Sequence, residues 1–351
     1  MKRIKTKQSK LKVNAVRAAI VALSIGAGYA ALRGFLDDSV CFDEQWRTFY
    51  WNRHWLTHEW AKSGGSLRLT TLFFSQFCAT VNGAAWLYAL VTTTLSLTLA
   101  AIVGRLMQRI GRKPHFATCY AIFWLVGIGT LFATKSATCN QGTEHSFKTM
   151  MCQIGRNDWR AVIESAGGNT PDNYLLLNCL NLAYAETGQL PDRFSQQPLR
   201  DVESLFVLEI PSPYVAAMLS DIYWSIGEIS MAQRYAFEAN EKLGDLSPRL
   251  LKRLVQTNIV FGHYAVAEKY LRWLESSPAH RRWAERHRRL LDDAAVEADP
   301  LLGQKRRCIP AQNCFPSTRS LPYDLQIILS QVPDHMTSAQ YLQAIQMLKK
   351  Q

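Results

Sequence analysis

The sequence predicts an all-α protein in which about three transmembrane helices precede an α-solenoid of tetratricopeptide-like helix pairs. One observation is that three long apolar stretches in the first part of the chain are flanked by Lys and Arg. The other is an internal repeat with an offset of 35 residues, a length typical of paired-helix repeats. The recurring residues are Pro213, Gly227, Ala232 and Tyr235, which return as Pro248, Gly262, Ala267 and Tyr270.

The first apolar stretch predicts a span over about 13–32, at the start of a membrane region that covers residues 1–135. Its only charge is Arg17, close enough to the end of the span to reach the headgroups. A cleaved signal peptide is the alternative, because a basic region, an apolar core and the small residues at 27–30 also fit one. The basic region is long for a signal peptide, which favours a retained anchor, and either version exports the C-terminal domain.

The second apolar stretch is too long for one straight span. Residues 69–104 carry no charge, and at about 1.5 Å per residue they exceed a ~30 Å hydrocarbon core. We therefore predict an interfacial segment over about 46–80 and a span over about 83–103. The third span is predicted over 116–134, between basic residues on both sides.

The distribution of basic residues predicts the orientation. The net charge of +12 is concentrated in the N-terminus, where six of the first twelve residues are Lys or Arg, and in the 105–113 loop. The positive-inside rule places both in the cytoplasm, on the same side, as two crossings require. The loop 37–67 and the domain 136–351 are then periplasmic, in a bacterial inner membrane. Because the charge flanks apolar spans, we read it as a topology signal and expect no nucleic-acid partner.

Glycines punctuate the C-terminal part at intervals of 33, 39 and 35 residues, at Gly155, Gly188, Gly227 and Gly262. Each glycine is predicted to end the first helix of a pair in a left-handed conformation. The predicted first helices are 147–154, 174–187, 214–226 and 249–261; the second helices are 159–165, a short one near Arg193, 231–243 and 266–276. A tail helix over 337–349 is predicted without a second helix to pair with it.

Several runs carry a resemblance to a known family, among them Asp221-Ile-Tyr-Trp-Ser-Ile-Gly and Gly262-His-Tyr-Ala-Val-Ala-Glu-Lys-Tyr-Leu. The chain resembles a family of uncharacterised multi-span membrane proteins of Gram-negative anaerobes, described only by a domain of unknown function. The resemblance covers roughly 140–310. It implies many N-terminal spans, a tetratricopeptide-like C-terminal region and no assigned activity. With three spans, this chain looks like a shortened member.

Two groups of residues in the first outer loop are candidates for a metal site or a catalytic site. His54 and His58 have the i, i+4 spacing of metal ligands. Tryptophans alternate with them along the sequence, which is more typical of a helix at the headgroup level. We therefore expect no metal and no cofactor. Asp43 and Glu44 follow the first span, where membrane glycosyltransferases that use lipid-linked sugars often keep a carboxylate. They are the catalytic candidates only if the chain has an enzymatic role.

Other candidate residues lie in the C-terminal domain. Cys308 and Cys314, in an exported loop, are spaced for a local disulfide, as are Cys139 and Cys152. A basic helix could meet anionic headgroups, although a solvated repeat face is the default interpretation. Its members are Arg281, Arg282, Arg286, Arg288 and Arg289.

The predicted function follows from the architecture. In stacked helix pairs the first helices line a concave surface, so we predict ligand-binding residues there: Asn181, Asp221, Trp224 and Gln256. Trp224 is equally well explained as inter-repeat core. We expect a membrane-anchored scaffold that binds the lipid bilayer and a protein or peptide partner. The alternative is an accessory part or remnant of an envelope glycan-transferring enzyme.

Overall fold

The computed structural model describes residues 2–111, 115–139, 142–167, 171–209, 212–244, 246–310 and 321–349. The chain is 78% helix, and no strand occurs in these ranges. Its helices, in chain order, are α1 (Lys2–Phe35), α2 (Phe42–Trp46), α3 (Arg53–Ala61), α4 (Gly65–Ser75), α5 (Val81–Arg109), α6 (Phe116–Cys139), α7 (Gly142–Ile154), α8 (Trp159–Ser165), α9 (Tyr174–Glu186), α10 (Leu190–Phe194), α11 (Val202–Leu205), α12 (Pro213–Ser225), α13 (Ile229–Lys242), α14 (Pro248–Val260), α15 (Tyr264–Glu275), α16 (Arg281–Arg288), α17 (Asp293–Ala298), α18 (Pro300–Arg307), α19 (Leu321–Gln331) and α20 (Met336–Leu348).

The chain forms two compact units. The first, here the membrane unit, comprises Met1–Cys41 and Phe77–His145; the second, the helical unit, comprises Phe42–Gln76 and Ser146–Gln351. Most of the segment predicted as interfacial, 46–80, therefore folds together with the C-terminal helices. The physical reason is that several aromatic side chains of this segment are buried.

Three helices of the membrane unit are long and apolar enough to cross a membrane, over Val13–Phe35, Val81–Arg109 and Phe116–Ala133. The first and the third of these, α1 and α6, run parallel, and α5 runs antiparallel between them. The contacts show this order, since Ser24 bonds Tyr120 while Phe35 packs on Phe132 at the other end. Gly28 permits a close approach of α1 to α6, because a Cβ there would lie 3.3 Å from Trp124.

Two helix pairs of the helical unit lie within two residues of the predicted boundaries. In α12/α13 and α14/α15, the first helix begins with Pro213 or Pro248, where the missing N–H costs no hydrogen bond. Each first helix is followed by a left-handed glycine, Gly227 with φ 82° and Gly262 with φ 76°. The N–H after each glycine bonds back toward the helix, from Glu228 to Tyr223 and from His263 to Asn258, which closes the helix end.

Two details differ from the prediction. The left-handed residue after α7 is Asn157, with φ 56°, and not Gly155. The tail helix does have a partner, because α19 pairs with α20. A Pro at the second position of α19 looks like a loop signal in sequence, although it suits the first turn of a helix. The tail then packs into the helical unit, where Tyr341 is fully buried beside Phe206.

We predict different costs for alanine at the two glycines. Gly262→Ala should destabilise the protein by about 1–2 kcal/mol, the cost of a left-handed residue with a Cβ, because open space surrounds that position. Gly227→Ala should cost more, since its Cβ would lie 3.0 Å from the Cys308 sulfur. Thermal and urea unfolding of the detergent-solubilised protein measures both. Adding Cys308→Ala should reduce the excess at 227 only, and only in part, because the Cys308 Cβ at 3.2 Å remains. An equal cost at the two sites would contradict the contact.

Candidate functional site

Residues 42–52 lie against the helices of the helical unit. Four aromatic side chains of this segment are buried: Phe42, Trp46, Phe49 and Tyr50. The Tyr50 hydroxyl donates to the Leu246 carbonyl at 2.8 Å, and the Trp51 N–H donates to the Ser276 carbonyl at 2.8 Å. The helical unit thus binds an extended stretch of the chain partly through backbone groups.

Glu44 belongs to the same segment and lies against a buried histidine. Its carboxylate is 3% exposed and lies 2.7 Å from the His280 Nε2 atom. Burial lowers the pKa of His280 and of Lys252, and the negative charge of Glu44 opposes both shifts. Glu44 is therefore engaged inside the fold, whereas the neighbouring Asp43 is exposed. Of the two predicted carboxylates, only Asp43 is open to solvent.

A buried ion cluster centred on Asp221 lies beneath this segment. One carboxylate oxygen accepts from Arg249 at 2.5 Å, and the other accepts from Arg253 at 2.9 Å. Each guanidinium also lies over an indole ring, Arg249 at 5.2 Å from Trp46 and Arg253 at 4.4 Å from Trp224. Paired charge and aromatic contact together compensate the cost of burying three ionised groups.

Arg249 extends the cluster to two further parts of the helical unit. Its Nη1 atom donates to the Met151 carbonyl at 2.6 Å and to the Gln45 side chain. Met151 belongs to α7, and Gln45 to α2. One side chain of α14 therefore connects α7, α12 and the 42–52 segment.

Three of the four predicted ligand-binding residues meet around Arg253. Asp221 contacts it through the ion pair, Trp224 through its indole ring, and Gln256 accepts from its Nη1 atom at 3.2 Å. The fourth, Asn181, is buried elsewhere and donates to the Ser204 carbonyl at 2.9 Å.

The expectation that Asp221 is an exposed polar group is wrong, since its exposed fraction is 8%. The reason lies on the facing helix, where Arg249 and Arg253 are one turn apart and point at the same carboxylate. That i, i+4 pair of arginines is the sequence signal that identifies the cluster. Trp224 is also buried, and Gln256 is the partly exposed member of the group.

Two donors of the cluster, the Arg253 Nε–H and the Trp46 indole N–H, lack an acceptor among the described residues. The Nε–H of Arg253 is buried and has no hydrogen-bond partner among the described residues. Burial lowers the pKa of Arg253, and the Asp221 carboxylate opposes this shift. A buried N–H without a partner is uncommon and can mark a place where a ligand or an ordered water supplies an oxygen.

A second polar cluster closes the C-terminal end of α12. The Lys305 ammonium donates to the Ser225 carbonyl at 2.9 Å, and the Ser338 hydroxyl donates to the Ile226 carbonyl at 2.6 Å. His335 lies between them, with its Nε2 atom 3.2 Å from Lys305 and its Nδ1 atom 2.8 Å from Ser338. Burial lowers the pKa of Lys305 to about 8 and that of His335 to about 4. Side chains from α18 and from the start of α20 thus cap a helix that lies far from them in sequence.

One arginine of the basic helix α16 is bound within the fold, and the others are exposed. Arg288 binds Glu275 through two nitrogens at 2.5 and 3.0 Å and Glu268 at 3.0 Å, so it belongs to an ion network with α15. The other predicted members, Arg281, Arg282, Arg286 and Arg289, are exposed. We call the surface they form the α16 basic face.

The α3–α4 hairpin exposes large apolar side chains. Trp60 is 64% and Leu67 is 73% exposed, and Trp51 and Phe74 are also exposed. His54 and His58 are exposed on α3. Among the described residues, no group of three or more His, Cys, Asp or Glu side chains is arranged to hold a metal ion.

The predicted disulfides fall partly outside the described residues. Cys308 is a buried free thiol whose pKa burial raises, while Cys314 lies outside the described ranges. Cys152 is buried in α7, and the side chain of Cys139 is likewise outside the description.

A model described as a family of unknown function (DUF6057) matches residues 119–351. The chain belongs to this family. The match begins inside α6 and includes the whole C-terminal part with the Asp221 cluster, which confirms the resemblance to an uncharacterised family. No curated protein and no solved structure matches the chain.

We predict that Asp221→Ala destabilises the protein by about 3–5 kcal/mol, because it leaves two buried guanidinium groups without their shared carboxylate. Asp293→Ala is the matched control, since Asp293 also binds an arginine, Arg306, but its side chain is 74% exposed. That change should cost far less, because an exposed ion pair contributes little to stability. Urea unfolding followed by tryptophan fluorescence measures both, and similar costs would show that the Asp221 cluster is not stabilising.

We predict that acidification weakens the helical unit through His335. Between pH 6.5 and its lowered pKa of about 4, the unfolded chain binds a proton that the folded protein does not. The free energy of unfolding therefore falls as the pH falls through this window, by about 2 kcal/mol from His335 between pH 7 and pH 5. The pKa values of His280 and His287 are lowered in the same direction, whereas Glu228, whose pKa burial raises to about 7, acts oppositely.

Unfolding of His335→Gln at pH 7 and pH 5 isolates that contribution. The variant should lose about 2 kcal/mol less than the unchanged protein over this interval. His54→Gln, which changes an exposed histidine, should behave as the unchanged protein does. An unaltered pH dependence in His335→Gln would contradict the assignment.

Proposed function

We propose that the chain is a membrane-anchored helical scaffold that binds a protein or peptide partner at the bacterial cell envelope. The observation that supports it most is the cluster around Arg253, which unites Asp221, Trp224 and Gln256. It combines an aromatic ring, a charged pair and an Nε–H without an acceptor among the described residues. A backbone carbonyl or an acidic side chain of a partner is an oxygen that this N–H would bind.

The way the helical unit holds residues 42–52 supports a peptide as the class of partner. Carbonyls of Leu246 and Ser276 bind this segment through its Tyr50 hydroxyl and Trp51 N–H. Four of its aromatic side chains are too deeply buried for easy displacement, so we place the partner at Gln256, where the Arg253 cluster approaches the surface. In this proposal the α12/α13 and α14/α15 pairs are units of a tetratricopeptide-like solenoid.

We further propose an inner-membrane protein with a cytoplasmic N-terminus and a periplasmic helical unit. The basic N-terminus and the 105–113 loop support this orientation by the positive-inside rule. The antiparallel course of α5 between α1 and α6 agrees with three successive crossings. The exposed apolar side chains of the α3–α4 hairpin suit the headgroup layer, and the α16 basic face suits anionic lipids.

Capture of envelope proteins by the detergent-solubilised chain tests the proposal. Gln256→Ala should reduce recovery of a specific partner and leave the melting temperature unchanged, because partly exposed polar substitutions usually shift stability by less than about 0.5 kcal/mol. The control Gln343→Ala changes an exposed glutamine on α20 and should leave recovery unchanged. Asp221→Ala is unsuitable here, because its effect on folding would obscure binding.

Three outcomes decide between the proposals. Recovery that falls only in Gln256→Ala supports the Arg253 cluster as the binding site. Recovery that is indifferent to Gln256→Ala excludes that site. An envelope glycan defect in Asp43→Ala cells, with partner recovery intact, would instead support the glycan-transferring alternative, since Asp43 is the exposed carboxylate of the pair.

A further inference from the structure

A groove in the membrane unit runs between the N-terminal halves of α1 and α6. On α1 it is lined by Val13, Val16, Ile20 and Val21, which recur at helical spacing and so form one face. On α6 it is lined by Phe116, Ala117 and Tyr120. The two helices approach closely at Gly28, and the groove opens between their N-terminal ends, with walls that are apolar.

One cationic side chain and one imidazole ring lie at the same groove. Arg17 and His115 are part of its lining, and the Arg17 guanidinium lies 4.9 Å from the centre of the Phe116 ring. The buried Tyr120 hydroxyl bonds Ser24 farther along, so the polar groups of the groove floor are already paired there. The groove therefore offers an apolar channel with the Arg17 guanidinium and the His115 ring toward one end.

The charge of this end of the bundle is one-sided. Since α5 is antiparallel to α1, its C-terminal Arg105 and Arg109 lie at the end where α1 and α6 begin. Residues 1–36 and 77–143 contain no Asp or Glu at all. These stretches therefore supply no carboxylate to pair with the cations at this end of α1 and α6.

We propose that this groove binds an anionic phospholipid, with an acyl chain along the apolar wall and the phosphate at Arg17 and His115. Apolar walls exclude a soluble anion as the full occupant, and unbalanced cations favour an anionic headgroup over a zwitterionic one. The site depends on insertion of the three helices in a membrane and is independent of the partner site at Gln256.

Native mass spectrometry of the detergent-solubilised full chain tests the site. The protein is titrated with phosphatidylglycerol or phosphatidylcholine, and the half-saturating lipid concentration is compared. We expect tighter binding of phosphatidylglycerol, and Arg17→Gln should raise its half-saturating concentration about fivefold, equivalent to about 1 kcal/mol for one cationic side chain. Arg33→Gln is the matched control, because it removes an exposed arginine from the opposite end of the same helix, and it should have no effect.

Further variants separate charge from shape. Arg17→Lys should retain phosphatidylglycerol binding, because it keeps the positive charge. Ile20→Trp should fill the groove and weaken binding while the charge stays unchanged. The melting temperature of the protein is also measured with inorganic phosphate and with phosphatidylglycerol. The comparison shows whether the groove binds a lipid phosphate or free phosphate.

Several results would overturn the proposal. Equal binding of the two lipids by the unchanged protein would exclude selectivity for an anionic headgroup. Equal losses in Arg17→Gln and Arg33→Gln would show a general charge effect in place of a site. Binding unaffected by Ile20→Trp would exclude the groove, and stabilisation by inorganic phosphate equal to that by phosphatidylglycerol would exclude a lipid as the ligand.

Discussion

The buried carboxylate of Asp221 is the constraint on which the helical unit depends. An unpaired ion in such a place is costly, so Arg249 and Arg253 must both point at it, and each in turn is covered by an indole ring. Arg249 also binds Gln45 and the Met151 carbonyl, so the same carboxylate fixes the relation of α7, α12, α14 and the 42–52 segment. Removal of one charge would leave the others buried and unpaired.

The 42–52 segment shows how local pattern and tertiary contact compete. Tryptophans beside a span are typical of the headgroup layer, which is why the sequence predicts an interfacial segment here. Indole rings satisfy a protein surface equally well, and in this fold Trp46 packs on Arg249 while Trp51 stays exposed. The sequence pattern does not distinguish a tryptophan in the headgroup layer from one packed on the protein. The residues that bind this segment lie about 200 positions away in the chain.

Features set by nearby residues were predictable, and features set by distant ones were not. The helix starts at Pro213 and Pro248 and the ends at Gly227 and Gly262 follow from backbone preferences within a few residues. The burial of Asp221 depends on two arginines 28 and 32 residues later. The cap that Lys305 and Ser338 form on α12 depends on contacts across 80 and 112 residues, beyond the reach of any local pattern.

The two units balance their cations differently, and this contrast connects both proposals. In the helical unit, Arg249, Arg288 and Arg306 bind carboxylates supplied by the chain itself. In the membrane unit, the cations near the start of α1 and α6 lie in stretches without any acid, and we propose that a lipid phosphate balances them. The Arg253 Nε–H is a smaller instance of the same situation, a donor whose acceptor is not found among the described residues. An unmatched cationic group thus points to a lipid at one site and to a partner's oxygen at the other.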